Sequence, residues 1–87
     1  MKPLNYAILL YFTEVERACA DDVIAALKPQ YGHFRGLRKA DVIEALMTAE
    51  KNGLIEEDGC DLDDNGELRV YYSANATSRA TIRKYIG

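Results

Sequence analysis

The sequence predicts one α+β domain in which three helices precede a β-hairpin and a fourth helix follows it. Apolar residues recur at helical spacing in four separate stretches. Asn65 and Gly66 lie between two β-prone runs, which is typical of a tight hairpin because both residues tolerate positive φ. The 87 residues suffice for one hydrophobic core, so we expect a single domain over residues 1–87.

Helix 1 is predicted from an apolar stripe behind Pro3, a residue that suits a first helical turn. The stripe at helical spacing consists of Leu4, Ile8, Tyr11, Phe12 and Val15. Tyr6, Leu9 and Leu10 widen it beyond what one small core needs. The extra width has two interpretations: a helix buried on two sides, or a helix with one face on a partner chain.

Helix 2 is predicted to begin at Asp21 and Asp22, whose negative charge stabilises a first helical turn. The connection before it, residues 16–19, has room for one strand bridge. The buried side of helix 2 consists of Val23, Ile24 and Leu27. We expect the helix to end near Lys28, because Pro29 disfavours the α conformation in the residue before it.

Helix 3 is predicted from about residue 38 to residue 52. Its inward side consists of Val42, Leu46 and Ala49, flanked by Ile43 and Met47. Gly53 stands where a left-handed residue ends a helix, and Leu54 can supply the apolar contact of a Schellman motif.

Two strands are predicted over about residues 59–63 and 68–74, joined by the Asn65-Gly66 turn. The fourth helix is predicted over residues 76–86, in which Ala80, Ile82, Tyr85 and Ile86 are apolar. Three helices, a hairpin and a fourth helix in this order are the elements of a winged helix-turn-helix.

The predicted hairpin concentrates negative charge. Seven acidic residues fall within residues 56–67, without a Lys or Arg among them: Glu56, Glu57, Asp58, Asp61, Asp63, Asp64 and Glu67. The net charge of -3 argues against a simple polyanion binder. Outside residues 56–67, however, seven acidic residues face 11 basic ones, a balance of +4, so we expect an electrically polar molecule.

Helix 3 ends in ALMTAEKNGLIEE and the hairpin continues into ELRVYYSANATSRATI, and with these stretches the chain resembles winged-helix transcriptional regulators of the PadR and MarR type. The resemblance covers about residues 4–86. The matching residues are Gly53, Leu54 and Ile55 in the turn and Arg69 and Tyr72 in the returning strand of the wing. It implies a DNA-binding regulator or accessory factor that reads duplex DNA with helix 3.

The pattern departs from the family after the hairpin. Where PadR-type wings commonly continue Leu-Thr-x-x-Gly, this chain has Ala74, Asn75 and Ser78. It also ends just after helix 4, without the long C-terminal dimerisation segment of PadR regulators. We therefore expect a homodimer to use other surfaces, since two-fold dimers are the commonest small assemblies. The candidate interface consists of Tyr6, Leu10, Tyr85 and Ile86.

A DNA-binding site is predicted where helix 3 begins, because helix-turn-helix proteins insert the start of this helix into the major groove. The connection KPQYGHFRG and the first turn of helix 3 supply a cluster without acids: His33, Arg35, Arg38 and Lys39. These side chains suit phosphates and guanine edges, and Arg69 adds a contact from the wing. Asp41 and Glu44 on the same helix favour the alternative, a solvated basic patch.

The acidic hairpin suggests a different function, because carboxylates repel a phosphate backbone. Winged helices also serve as protein-interaction modules, so the fold alone does not determine function. In the second hypothesis, the acidic wing or the apolar face of helix 1 docks a protein.

A calcium site is a further interpretation of the hairpin. Residues 61–66, DLDDNG, fit the first half of the calcium-loop pattern D-x-[DN]-x-[DN]-G. Position 12 of that pattern, where a bidentate Glu is required, is Tyr72. We therefore expect an ordinary acidic turn and no metal site.

Catalysis has little support in the sequence. The single histidine, His33, lacks a neighbouring base or nucleophile, and glycine-rich phosphate loops are absent, so we expect neither an enzyme nor a cofactor. Cys19 and Cys60 are outside CxxC spacing and are expected to be small buried hydrophobes. The longest apolar run has seven residues, short of the ~20 of a membrane span, and we expect a cytoplasmic protein.

Overall fold

The computed structural model describes residues 2–87 as four α-helices, one 3₁₀ turn and a two-stranded antiparallel sheet. The elements in chain order are α1 (Leu4–Tyr11), α2 (Ala20–Tyr31), the 3₁₀ turn (Arg35–Leu37), α3 (Lys39–Lys51), β1 (Glu56–Leu62), β2 (Leu68–Ser73) and α4 (Ala76–Tyr85). This order confirms the predicted α+β class, with the hairpin between the third and fourth helices.

The hydrophobic core lies between the first three helices and the inner side of the hairpin. Phe12, Val23 and Val42 are fully buried, and Leu46 is nearly so. These are residues that helical spacing placed inward, because a stripe with a 3.6-residue period has to face an apolar partner. Cys19 is also buried as predicted, whereas the prediction for Cys60 is wrong: Cys60 is exposed on β1.

α2 ends at Tyr31, three residues beyond the predicted end at Lys28. Pro29 removes one helical hydrogen bond, yet the last turn forms because Tyr31 is buried behind it. The Tyr31 hydroxyl donates to the Lys2 carbonyl oxygen at 2.5 Å, and its ring packs edge-on against Phe34. The predicted nine-residue connection is therefore shorter and contains the 3₁₀ turn.

A two-bond bridge joins the segment before α2 to the hairpin. The N–H group of Ala18 donates to the carbonyl oxygen of Tyr72, and the N–H of Tyr72 donates back, each at 2.9 Å. This is the strand bridge that residues 16–19 were predicted to hold. Ala18 thereby pairs with β2 along the edge that does not pair with β1.

α3 ends in the predicted Schellman motif. Gly53 has φ 76°, its N–H donates to Glu50 at 2.9 Å, and the N–H of Leu54 donates to Ala49 at 3.0 Å. The chain thereby reverses into β1, and Ile55 enters the core.

β1 begins at Glu56, three residues before its predicted start, because a bulge lets the strand continue past Gly59. Asp58 and Gly59 together face Tyr71, and Gly59 takes φ 95°. Arg17 donates to the Asp58 carbonyl oxygen at 3.0 Å. The bulge therefore has a specific partner on the segment between α1 and α2.

The hairpin loop consists of residues 64–66. Gly66 takes φ 78°, while Asn65 has negative φ, so only one residue of the predicted Asn65-Gly66 pair is left-handed. The Asp63 carboxylate accepts the N–H groups of Asn65 and Glu67, both at 2.9 Å. These two bonds shape the turn and hold the pKa of Asp63 below its usual range.

α4 is joined to the rest of the domain by arginine side chains that donate to backbone carbonyl oxygens. Arg79 Nε donates to Ala74 at 2.7 Å and Nη2 to Val15 at 2.9 Å. Arg83 Nη2 donates to Thr13 at 2.9 Å. These bonds connect residues that are up to 70 positions apart in the chain.

Among the helices of residues 2–87, none has the length and apolar character that would carry it across a membrane.

The acidic residues at the start of the hairpin lie on an edge strand. β1 pairs with β2 on one side only, and all of its seven residues are exposed. Unpaired N–H and C=O groups of such a strand invite pairing with another chain, and charged side chains and bulges oppose it. Glu56, Glu57 and Asp58 therefore have a structural use.

Arg79→Met should lower the free energy of unfolding by about 2 kcal/mol, because two carbonyl oxygens lose a charged donor while the apolar stem remains. The matched control, Arg35→Met, removes an exposed arginine and should stay within about 0.5 kcal/mol of wild type. Urea unfolding monitored by circular dichroism measures both variants. Equal stabilities would show that the Arg79 bonds contribute nothing.

Combined Glu56→Gln, Glu57→Gln and Asp58→Asn substitutions should promote self-association, since the strand loses the charge that repels a second edge. Dynamic light scattering at rising concentration measures the effect. The control loses the same charge at exposed positions away from β1 and carries Glu14→Gln, Glu16→Gln and Glu44→Gln. If both triple variants aggregate equally, net charge rather than edge protection is responsible.

Candidate functional site

The structure divides the predicted DNA-binding residues among three places. Arg35 and Arg38 share one surface depression beside α2. Lys39 lies next to an aspartate of α2. Arg69 is bound to an aspartate of the hairpin.

The basic depression, which we define by Lys28, His33, Arg35 and Arg38, has a volume of about 270 Å³ between the end of α2 and the start of α3. Its lining contains only basic and uncharged side chains. The remaining lining residues are Ile24, Gly32, Phe34 and Leu37. Lys28 also belongs to this surface, although it is not among the DNA contacts predicted from the sequence.

Buried apolar residues hold the basic depression in shape. Leu37 of the 3₁₀ turn is buried, and the Phe34 ring packs edge-on against both Tyr31 and His33 at centroid distances of 5.2 and 4.8 Å. The connection between α2 and α3 is therefore anchored on each side of Arg35. Its cations project from an ordered backbone.

The start of α3 adds a second attraction for anions. Arg38 is the N-cap residue, and a guanidinium contains no acceptor that could cap the N–H groups of the first turn. Free N–H groups and the helix dipole both favour a phosphate oxygen at this position. The basic depression thus borders a helix end of suitable polarity.

Lys39 is partly engaged by α2. Its Nζ lies 3.4 Å from a carboxylate oxygen of Asp21, and both side chains are nearly half exposed. An exposed pair of this kind contributes about 0–1 kcal/mol and is readily exchanged for another partner. Lys39 is therefore available for phosphate contact only in competition with Asp21.

Arg69 is bound more firmly. Its Nε and Nη2 donate to the two carboxylate oxygens of Asp61 at 2.7 and 3.0 Å, in a bidentate pair. The Tyr71 hydroxyl donates to the same carboxylate, and Arg17 stacks 4.2 Å above the Tyr71 ring. The Arg69 guanidinium holds the pKa of Asp61 below its usual range. This pair neutralises the cation that was predicted to contact DNA from the hairpin.

The same contacts use the carboxylates of the calcium-like loop. Asp61 binds Arg69, and Asp63 accepts two backbone N–H groups of its own turn. In the part of the chain that the structure describes, residues 2–87, no three His, Cys, Asp or Glu side chains converge as metal ligands.

The predicted dimer residues lie on α1 and at the end of α4. Tyr6 and Tyr85 are exposed, at 49% and 75%, whereas Leu10 and Ile86 are half-buried. Lys2 Nζ donates to the Ile86 carbonyl oxygen at 3.0 Å, which brings the end of α4 to the start of α1. Leu10 also lines an open groove of about 610 Å³ between α1 and α2.

Comparison with known proteins found no matching family model, no matching curated protein and no matching solved structure. The surfaces of this chain are therefore the guide to its function. Two of them combine a defined shape with a defined chemistry: the basic depression and an apolar groove beside the hairpin.

Proposed function

We propose that the protein is a winged helix-turn-helix domain that binds duplex DNA and serves as a transcriptional regulator or accessory factor. The observation that carries the proposal is the basic depression, in which Lys28, His33, Arg35 and Arg38 meet without a carboxylate in the lining. In helix-turn-helix proteins the start of the third helix approaches the duplex, and the depression lies at that end of α3.

Contacts to phosphates should dominate this binding. Lys28, Arg35 and Arg38 offer charged donors to phosphate oxygens, which position a protein on DNA without reading its sequence. Between Lys39 and Lys51, α3 carries no Arg, Lys, Asn or Gln, the side chains that make bidentate contacts to guanine and adenine edges. We therefore expect modest discrimination between DNA sequences.

The acidic hairpin restricts how the duplex lies. Carboxylates near phosphates only repel, so DNA should approach from the side of the basic depression, away from Asp64 and Glu67, the exposed acids at the end of the hairpin. The charge asymmetry of the molecule then orients it on a polyanion.

Binding as a homodimer is part of the proposal. Tyr6 and Tyr85 expose large aromatic surfaces on helices whose ends are joined by the bond from Lys2 to Ile86. A two-fold interface through α1 and α4 would cover these surfaces and leave the basic depression free on each protomer.

Replacing Arg35 or Arg38 with Ala should lower the slope of log affinity against log salt by about 0.9 for each lost phosphate contact. Fluorescence anisotropy with a labelled duplex at several salt concentrations measures the slope. Lys51→Ala, at the far end of α3, removes an exposed cation outside the depression and should leave the slope unchanged. Wild-type protein without affinity at ~50 mM salt would refute the proposal.

Tyr85→Asp should weaken the dimer by about tenfold or more, because a carboxylate replaces an aromatic ring within an apolar interface. Sedimentation equilibrium at tens of micromolar measures the association. Ala80→Asp, also exposed on α4, is the control for charge and helix propensity. A wild-type protein that sediments as a monomer would contradict the dimer.

A further inference from the structure

A second surface, the α3–hairpin groove, lies between the exposed face of α3 and the inner face of the hairpin. It has a volume of about 250 Å³. Ile43 and Met47 line one wall, and Leu68 and Val70 line the other. Leu62, the cross-strand partner of Leu68, extends the apolar wall toward the hairpin loop.

The side chains of this groove are unusually exposed for their size. Ile43 is 41% exposed, Met47 55%, Leu62 65% and Leu68 67%. Scattered apolar residues are normal on a protein surface, but a group that borders a concave site is typical of protein-binding surfaces. Helical spacing placed Ile43 and Met47 beside the core, and the hairpin stands too far out to cover them.

The charges around the groove select the kind of partner. The cations at its border, Lys39 and Arg69, are paired with Asp21 and Asp61. Glu57 also lines the groove, and as the cross-strand partner of Tyr72 it lies at the Tyr72 end. Burial raises the pKa of Tyr72, and the Glu50 and Glu57 carboxylates raise it further.

We propose that the α3–hairpin groove binds a segment of a partner protein that presents a row of apolar side chains followed by a Lys or Arg. The apolar side chains would pack against Ile43, Met47 and Leu68. The basic residue would lie beside Glu57, whose carboxylate has positive charge as its complement. Duplex DNA fits the groove poorly because its walls are apolar, its two cations, Lys39 and Arg69, are paired with aspartates, and the Glu57 carboxylate repels phosphates.

A second copy of this chain is a weaker candidate for the same site. The unpaired charge in the lining is the Glu57 carboxylate, which a basic segment complements, whereas the surfaces proposed for the homodimer, at Tyr6 and Tyr85, lie outside this groove. The proposal does not depend on DNA binding. The groove and the basic depression both lie beside α3, but they have no lining residue in common.

Two synthetic peptides of about 15 residues test the proposal. Both carry the same leucine stripe at helical spacing, with lysine at the polar positions of one and glutamate at those of the other. Methyl NMR of the full chain should show shifts at Ile43, Met47 and Leu68 with the lysine peptide, and about tenfold weaker binding of the glutamate peptide.

Met47→Asp should weaken binding of the lysine peptide by about tenfold, whereas Thr48→Asp should leave its affinity unchanged. Thr48 is the neighbouring exposed residue of α3 but lies on the other side, in the groove between α1 and α3. Glu57→Gln should reduce the preference for lysine over glutamate. If the preference for the lysine peptide disappears in Glu57→Gln, the Glu57 carboxylate is responsible for it.

Several results would overturn the proposal. Equal binding of both peptides, shifts confined to other methyl groups, or full binding by Met47→Asp would each exclude the groove as a site for a basic apolar segment. Duplex DNA that shifts the Ile43 and Met47 methyls would assign the groove to DNA. Self-association that Met47→Asp abolishes would assign it to a second copy.

Discussion

The arrangement of the domain depends on the pair of backbone hydrogen bonds between Ala18 and Tyr72. A lone two-stranded hairpin is marginally stable in water, and β1 is exposed along its whole length. The bridge attaches β2 to a buried position, because Ala18 is fully buried and Tyr72 is 5% exposed. It fixes the hairpin relative to α2 and α3, and with it the width of the α3–hairpin groove.

The acidic residues of the hairpin have separate structural roles. Those at the start of β1 protect an edge strand, Asp61 binds Arg69, and Asp63 shapes the loop. Negative charge at the hairpin and positive charge at the α2–α3 connection therefore lie on different parts of one small domain. This separation is what allows a chain with net charge -3 to present a surface suited to phosphates.

The two proposed surfaces differ in the physics of recognition. The basic depression attracts by long-range charge that salt screens, and it discriminates weakly. The α3–hairpin groove attracts by apolar burial at short range, with Glu57 selecting the sign of the partner's charge. If both proposals hold, the domain would join a nucleic acid to a protein, a role that suits a regulator or an accessory factor.

Features that depend on neighbours in the chain could be predicted from the amino-acid sequence. Helical periodicity located the core residues Val42 and Leu46, and Gly53 identified the end of α3, because both signals act within one or two turns. The end of α2 was missed, since the burial of Tyr31 outweighs the local preference set by Pro29. The start of β1 was missed for a similar reason: the bulge at Gly59 has its partner in Arg17.

Which basic side chains lack a partner within the domain depends on contacts between residues far apart in the chain. Arg79 and Arg83 donate to carbonyl oxygens far away in the chain, and Arg69 is paired with Asp61. Arg35 and Arg38 instead share the basic depression. The α3–hairpin groove also depends on the tertiary structure. Ile43 and Met47 flank the core residues of α3 in helical spacing, but they stay exposed because no other element covers them. Long-range partners carry no local signal in the sequence, so the sequence predicted the basic cluster of His33, Arg35 and Arg38 but neither the pairing of Arg69 nor the α3–hairpin groove.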